Sequence, residues 1–470
     1  MLKLTDILSI LASLLIAASP GLSLAEEIVA GAAAVEITPP KGFRMAGYFA
    51  ERFNTGTRDP LFAKALVFIQ GDRQAALVFC DLVSVPRAVA TRARVEASRR
   101  TGIPVARIAV AATHSHTGPL YDGVLRTGFH KKAVAERGKD DVESVDYPAF
   151  LVDRVADAVK SAMSGGAPVR IDAGFARESG LSFNRRFHMK DGTVRFTPGP
   201  LNPDIVRAAG PIDPDVGILL VRPAGGGPPL AGLTVFALHL DTVGGTEYSA
   251  DYPSFLQDEL RKEFGPGFTS FFGAGTCGDI NHIDVTRRDR ARTETIGRAL
   301  GRTVLDGLGS LHSVTEPRLD VAVEEVEVPL QRSSRDELEK ARRLLETFEK
   351  DRPPFLEIVR AVKVVDLADN YTGPTERLEV QAFRLGPELA LVTLPGEVFV
   401  EHGLAIKKSS PFKTTFVVEL ANANPAYIPT RKAFDEGSYE VVNSRVAPGG
   451  GEILAEAALR LLKKLDGSGR

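Results

Sequence analysis

The chain has 470 residues, 44% hydrophobic and 25% charged, a composition that excludes a disordered protein and supplies a large core. Its 58 Lys and Arg against 60 Asp and Glu leave a net charge of −2, so no basic field points to nucleic acid. Only two cysteines, Cys80 and Cys277, are present, which excludes a disulfide framework and a cysteine-only metal site.

The predicted elements begin with a leader. Lys3 precedes an apolar run from Ile7 to Ala18, and Ser23-Leu24-Ala25 has the small-x-small pattern of a cleavage site. The run is shorter than the ~20 residues that a spanning helix needs, so residues 1–25 read as a signal peptide. The mature chain, 26–470, is expected to be exported to a periplasmic or extracellular space, with no membrane span.

Short apolar runs then alternate with helical patterns. Ala75–Cys80, Ile108–Ala112, Leu233–Leu240, Thr269–Phe272, Leu389–Leu394 and Thr414–Leu420 read as strands buried on both faces. Helical patterns cover Pro86–Thr101, Asp146–Ser164, Tyr252–Phe264 and Thr293–Leu308. The pattern predicts a single large α/β domain, a mixed or mostly parallel sheet flanked by helices. Ser334 and Glu337 have capping-box spacing and open a helical insertion over 335–365, broken by Pro353-Pro354 and expected to be a solvated pair without chemistry. A last helix over Glu452–Leu465 docks on the core.

The polar residues that end the strands carry the chemistry. Asp81, the Thr113–Pro119 turn, His239 with Asp241, the Gly273–His282 turn, Pro395-Gly396-Glu397, and Asn422 to Tyr427 each come after one apolar run. Ligands of open α/β sheets sit outside the carboxyl ends of the strands, so these groups are expected to converge. In extended chain His114 and His116 face the same side, and neutral imidazole is the commonest metal ligand. With His239 and Glu397 they supply the N and O donors of a catalytic zinc that keeps a position for water. His282 and Asp279 belong to the Gly-rich turn, where Asp279 also suits ordinary turn chemistry. His130, His188, His312 and His402 read as surface or satisfied core residues. Cys80 and Cys277 read as small buried hydrophobes, and their pairing stays open.

Several dispersed motifs resemble the neutral, non-lysosomal ceramidases. Ala34–Pro40, Gly47-Tyr48 and Arg58–Leu66 look like that family's opening segments, and Ala112-Thr113-His114-Ser115-His116-Thr117-Gly118-Pro119 resembles its histidine signature. Asn184-Arg185, Phe236–His239, Gly278-Asp279-Ile280-Asn281, Gly396-Glu397, the Asn422–Tyr427 segment and Tyr439-Glu440 come in the family's order. Asn281 stands where the family's Gly-Asp-Val-Ser turn carries serine. The family's longer members also continue into an immunoglobulin-like domain beyond the tyrosine segment.

The resemblance implies a zinc amidase that cleaves an N-acyl bond with metal-activated water. By motif, His114, His239, Glu397 and Tyr427 would hold Zn2+, while His116, Arg185 and Tyr427 would act on the reacting centre. Asn184, Asp241, Asp279, Asn281 and His282 are expected to line the site. The expected partner is a small amphipathic or N-acylated substrate, with peripheral membrane contact and oligomeric state left open. Alternatives are a deacylase or esterase acting on a carbohydrate or cell-envelope compound, and a secreted binding protein without activity. The loops with Phe43, Tyr48, Phe49 and Phe53, together with Gly118–Phe129, are read either as an acyl slot or as filling of a core edge.

Overall fold

Runs that are apolar on both faces become strands only where both faces are covered, and here two sheets and two helical layers cover them. The computed structural model describes residues 27–468, so the leader at 1–25 lies outside the described residues. The larger sheet contains β1 (Val29–Glu36), β2 (Phe62–Gln70), β3 (Arg73–Cys80), β4 (Ile108–Ala112), β5 (Ala167–Arg177), β6 (Asp215–Pro223), β7 (Ala231–Phe236) and β8 (Thr269–Ala274). Its order is β8-β7-β6-β5-β1-β2-β3-β4, and the short strand His312–Ser313 pairs with β5. Parallel pairs occur only at the two ends, β3 with β4 and β7 with β8. The interior pairs are antiparallel. The mixed form of the expected sheet is therefore the one present.

A second sheet, β9 (Asp320–Pro329), β10 (Thr375–Arg384), β11 (Leu389–Thr393) and β12 (Thr414–Val418), has that spatial order, with β11 and β12 parallel. The sheets pack face to face. Phe79, Leu233 and Phe271 from the first share one apolar cluster with Phe383, Leu391 and Phe416 from the second. Full burial of such a side chain stabilises by about 1.5–3 kcal/mol, so this inner layer is a principal part of the core.

The helices are α1 (Arg87–Thr101), α2 (Gly123–Arg137), α3 (Tyr147–Ser164), α4 (Tyr252–Phe264), α5 (Thr293–Asp306), α6 (Arg335–Asp351), α7 (Phe355–Asn370), α8 (Val400–Ser409), α9 (Arg431–Glu436), α10 (Tyr439–Asn443) and α11 (Gly450–Asp466). α1 and α3 cover one half of the outer face of the large sheet, and α4 and α5 cover the other. α8 and α11 cover the second sheet. The capping box is formed: the Ser334 hydroxyl accepts from the Glu337 amide, and the Glu337 carboxylate accepts from the Ser334 amide. The helical pair it opens runs past the expected 365 to Asn370. It is anchored rather than free, because Ala341, Ala361, Val364 and Val365 pack with Val124 of α2.

Candidate metal centre

The six strands that end in polar residues are the three parallel pairs, β3 with β4, β7 with β8, and β11 with β12. Within a parallel pair both carboxyl ends point the same way, so each pair delivers two polar turns to one edge. His114 comes after β4, His239 after β7, and Glu397 after β11. Glu397 and Tyr427 are partners in a two-residue parallel ladder, which fixes the last two side chains beside each other. These turns hold backbone strain. His114, Leu420, Asn422 and Ala426 have φ values of 80°, 58°, 62° and 58° without being glycine, at a cost of about 1–3 kcal/mol each. Bonds around them hold the shape: the His114 amide donates to Leu82 O at 2.9 Å, and Asn422 bridges the Val110 amide and Gln381.

His114, His116 and His239 bring ligand nitrogens within 4.8 Å of one another. His114 Nδ1 lies 2.8 Å from Val83 O, and His239 Nδ1 lies 3.0 Å from Cys277 O. A carbonyl only accepts, so each Nδ1 carries the proton and each Nε2 presents a lone pair. Those two Nε2 atoms face each other at 2.9 Å, and His116 Nε2 is 3.3 Å from that of His114. Glu397 Oε2 stands 3.4 Å from His114 Nε2 and 3.6 Å from His239 Nε2, buried and without a hydrogen-bond partner among the described residues. Lone pairs and an orphaned carboxylate oxygen facing one point repel unless a cation lies among them. The donor set fits zinc.

Electrostatics agree with a ligand role. Burial, with His114 and Arg185 nearby, holds His239 well below the ordinary imidazole range, so it stays neutral. Burial and His114 likewise lower His116 to about 4. Burial alone would raise the Glu397 carboxyl, but the Tyr427 hydroxyl bonded to it and the Arg185 charge outweigh it and keep it ionised. Gly278 makes room for this residue, since a Cβ there would sit 2.4 Å from the Glu397 carbonyl oxygen.

Arg185 reaches into the same centre. It donates through Nε to Glu440 at 2.8 Å, through one terminal nitrogen to Gly278 O at 2.9 Å, and through the other to His239 Nε2 at 3.2 Å. Its guanidinium carbon is 5.3 Å from the Tyr427 ring centroid, and the Tyr427 hydroxyl lies against both Arg185 and Glu397. Burial opposes its charge, but Tyr427 and Glu440 outweigh it.

The remaining expected residues divide. Asp241 accepts from His282 Nδ1 at 3.2 Å, and its carboxyl stays well below the usual range because the bond from His282 outweighs burial. Asn184 donates to Asp279 at 2.7 Å, and Asp279 also accepts from the Val400 amide, so both are engaged in structural bonds. Asn281 Oδ1 accepts from the Ile283 amide at 3.0 Å. Cys80 and Cys277 are free and buried, and Cys277 donates to the buried carboxyl group of Glu419. Sequence reasoning passed over Glu419, and placed Tyr439 and Glu440 in a motif without a role. Glu419 accepts from the Cys277 and Val398 amides and so holds the backbone beside two of the converging residues. Their only sequence signal is a charged or phenolic residue in an apolar neighbourhood.

His114, His116, Glu397 and Tyr427 open onto a groove of about 900 Å³, which Tyr48, Phe49 and Tyr439 also line. Phe43 is buried in the core and Phe53 is 42% exposed outside the groove, so of the four aromatic residues expected there only Tyr48 and Phe49 line it. The helical pair, expected to be solvated and without chemistry, forms part of the groove wall through Val362, Asp366 and Asn370. Phe355 at its turn stacks on Tyr439 with centroids 5.6 Å apart.

A crystal structure of neutral ceramidase from Pseudomonas aeruginosa superposes with a TM-score of 0.72 at 18% identity, covering 94% of this chain and 75% of that one. The chain has the neutral ceramidase fold. A structure described as a ceramidase complexed with C2 matches with a TM-score of 0.71 and 17% identity, covering 94% of this chain and 76% of that one. No protein-family model and no curated protein sequence matches the chain. The ceramidase fold places the convergence of strand ends, and the side chains there are this chain's own.

Proposed function

We propose that this protein is a zinc-dependent, ceramidase-like amidohydrolase that hydrolyses an N-acyl amide. One observation carries the reading: the unprotonated Nε2 atoms of His114 and His239 and the orphaned Glu397 Oε2 lie within 3.6 Å of one another beside a groove that His114 and Glu397 line. His114, His239, Glu397 and Tyr427 would hold zinc, which when bound acts as a Lewis acid on the acyl oxygen and activates the attacking water. Export after cleavage near Ala25 belongs to the same reading. Among the described residues no helix is long and apolar enough to cross a membrane.

His116 lines the groove, and its Nδ1 has no partner among the described residues. It accepts the proton that water loses when oxygen attacks the acyl carbon, and delivers it to the nitrogen as the C–N bond breaks. The products are a carboxylic acid and an amine, with no external oxidant or reductant. Arg185, fixed by Glu440 and Gly278 O, donates hydrogen bonds to the oxygen on which negative charge develops. Asn281 has no nucleophilic oxygen, so an acyl-enzyme at that position is closed. The complete donor set weighs against a binding protein that has lost activity. The test is metal analysis of purified protein, with turnover of matched N-acyl amide and O-acyl ester substrates before chelation, after chelation, and after zinc is restored. Amide turnover unaffected by complete metal removal would reject the reading.

A further inference from the structure

One buried acidic side chain is bonded to the supports of the centre rather than to its ligands. Glu419, the first residue after β12, is 0% exposed and forms no ion pair among the described residues. A buried carboxyl without a cation costs free energy unless hydrogen-bond donors surround it. Glu419 Oε2 accepts from the Val398 amide at 2.6 Å and from the Cys277 amide at 3.2 Å, and Oε1 lies 3.0 Å from the Cys277 sulfur. Both amides belong to segments that carry the centre. The Cys277 carbonyl accepts from His239 Nδ1, and the carbonyl of the next residue, Gly278, accepts from Arg185. Val398 comes directly after Glu397 and pairs with Ile428 in the ladder that sets Glu397 beside Tyr427. The two segments also meet directly, because the Gly278 amide donates to Val398 O at 2.9 Å. Glu419 is fixed in turn by its own backbone: its amide donates to Ala274 O at the end of β8, and the Leu420 amide donates to Gly396 O.

We propose that Glu419 is a positioning residue of the metal centre, tying the Cys277–Gly278 turn to the Glu397–Val398 segment by the reach of one acceptor oxygen, and so setting where His239, Arg185 and Glu397 point. The inference rests on the amidohydrolase reading for what the centre does, but not for what Glu419 holds. The direction of the His239 lone pair follows its ring, and the ring follows the carbonyl that Nδ1–H meets, so a shift of the Cys277 carbonyl turns the ligand. A centre works only while its groups are held to within about 0.5 Å of their places, and these groups come from segments far apart in the chain. Two substitutions separate reach from charge. Glu419→Gln keeps an oxygen that can take both amides, and its NH2 group replaces Oε1 against the weakly accepting Cys277 sulfur. Glu419→Asp keeps the carboxylate and withdraws it by one methylene.

The experiment reads the metal before it reads turnover. Zinc affinity of the full chain is measured by competition with a chelator, and the visible absorption of the cobalt(II)-loaded protein reports the geometry of the ligands. Glu419→Ala and Glu419→Asp should each weaken zinc binding at least about tenfold, the lower end of what loss of an outer partner costs, and should shift the cobalt bands. Glu419→Gln should stay close to wild type in both. At saturating zinc, the Ala and Asp variants should lower kcat for an N-acyl amide more than they change KM. Val159→Ala, a truncation of the buried core on α3, controls for lost stability: it should lower the unfolding temperature and leave zinc affinity unchanged. If Glu419→Ala does not fold, Glu419→Asp carries the test. Zinc affinity and cobalt bands in a folded Asp variant equal to wild type, a Gln variant as impaired as the Asp variant, or an equal loss of zinc in Val159→Ala overturns the proposal and leaves amidohydrolysis intact. If the Asp variant loses zinc and the Gln variant keeps it, but wild type turns over no amide, the amidohydrolase reading falls and the positioning role stands. A wild type that binds neither metal overturns both.

Discussion

Glu440 and Arg185 form an ion pair at 2.8 Å with side chains only 0% and 6% exposed. Both charges have left water, and the other oxygen of Glu440 lies 3.5 Å from Arg186 Nε. Removing one partner of a buried pair costs about 3–5 kcal/mol, because the other is left uncompensated. Glu440→Gln keeps the shape and removes the charge. It should lower thermal stability and reduce kcat by about 10–100-fold, in line with a displaced oxyanion donor, with a much smaller change in KM. Steady-state kinetics decide the matter: an effect confined to KM would make Arg185 a substrate-binding group only.

Metal content tests the centre without reference to turnover. Purified protein should carry about one zinc per chain, the stoichiometry of a mononuclear catalytic site. His239→Ala and Glu397→Ala should each reduce bound metal to less than about a tenth, since loss of a ligand removes much of the binding free energy. Elemental analysis after dialysis measures this, and full occupancy in either variant excludes that residue from the ligand set.

Asn281 gives a discriminating substitution. In Asn281→Ala the Ile283 amide loses its acceptor, a cost of about 1–3 kcal/mol for a buried donor left unpaired. Turnover should weaken and yet persist, and intact-protein mass spectrometry during turnover should show no added acyl mass. A trapped acyl adduct would contradict direct attack by water.

Asp251 predicts a pH dependence of stability. Burial, only partly offset by bonds from Thr242 and from the Tyr252 and Val243 amides, pushes its carboxyl up to about 6. The unfolded value is about 3.9, so the folded state binds the proton more tightly. Its contribution is therefore fully present below about pH 4 and is lost as pH rises through about 6. Asp251 has a φ of 63°, and Asn is among the residues that accept positive φ. The stability penalty of Asp251→Asn should thus shrink by about 1–3 kcal/mol between about pH 4 and pH 7, because the wild type alone pays for ionisation. Denaturant titrations of both proteins across that range measure it, and a constant penalty would show that Asp251 does not titrate there.

The sequence by itself determined the parts whose signal is local. A buried strand is a short apolar run, and a functional residue at its end is the polar group that interrupts the run. That is why His114, His116, His239 and Glu397 could be chosen from the chain, and why the capping box at Ser334 could be read from two residues. Tertiary structure decided what depends on distant segments. A strand buried between two sheets reads the same as one buried between a sheet and helices, so the second sheet and the antiparallel interior stayed hidden. Glu440 meets Arg185 across 255 residues, and no local pattern announces that pairing. The charged helical pair looked like a solvated face because charge runs usually are one. Only the packing of α7 beside α2 places Asp366 in the groove wall, since a side chain's surroundings depend on segments far from it in sequence.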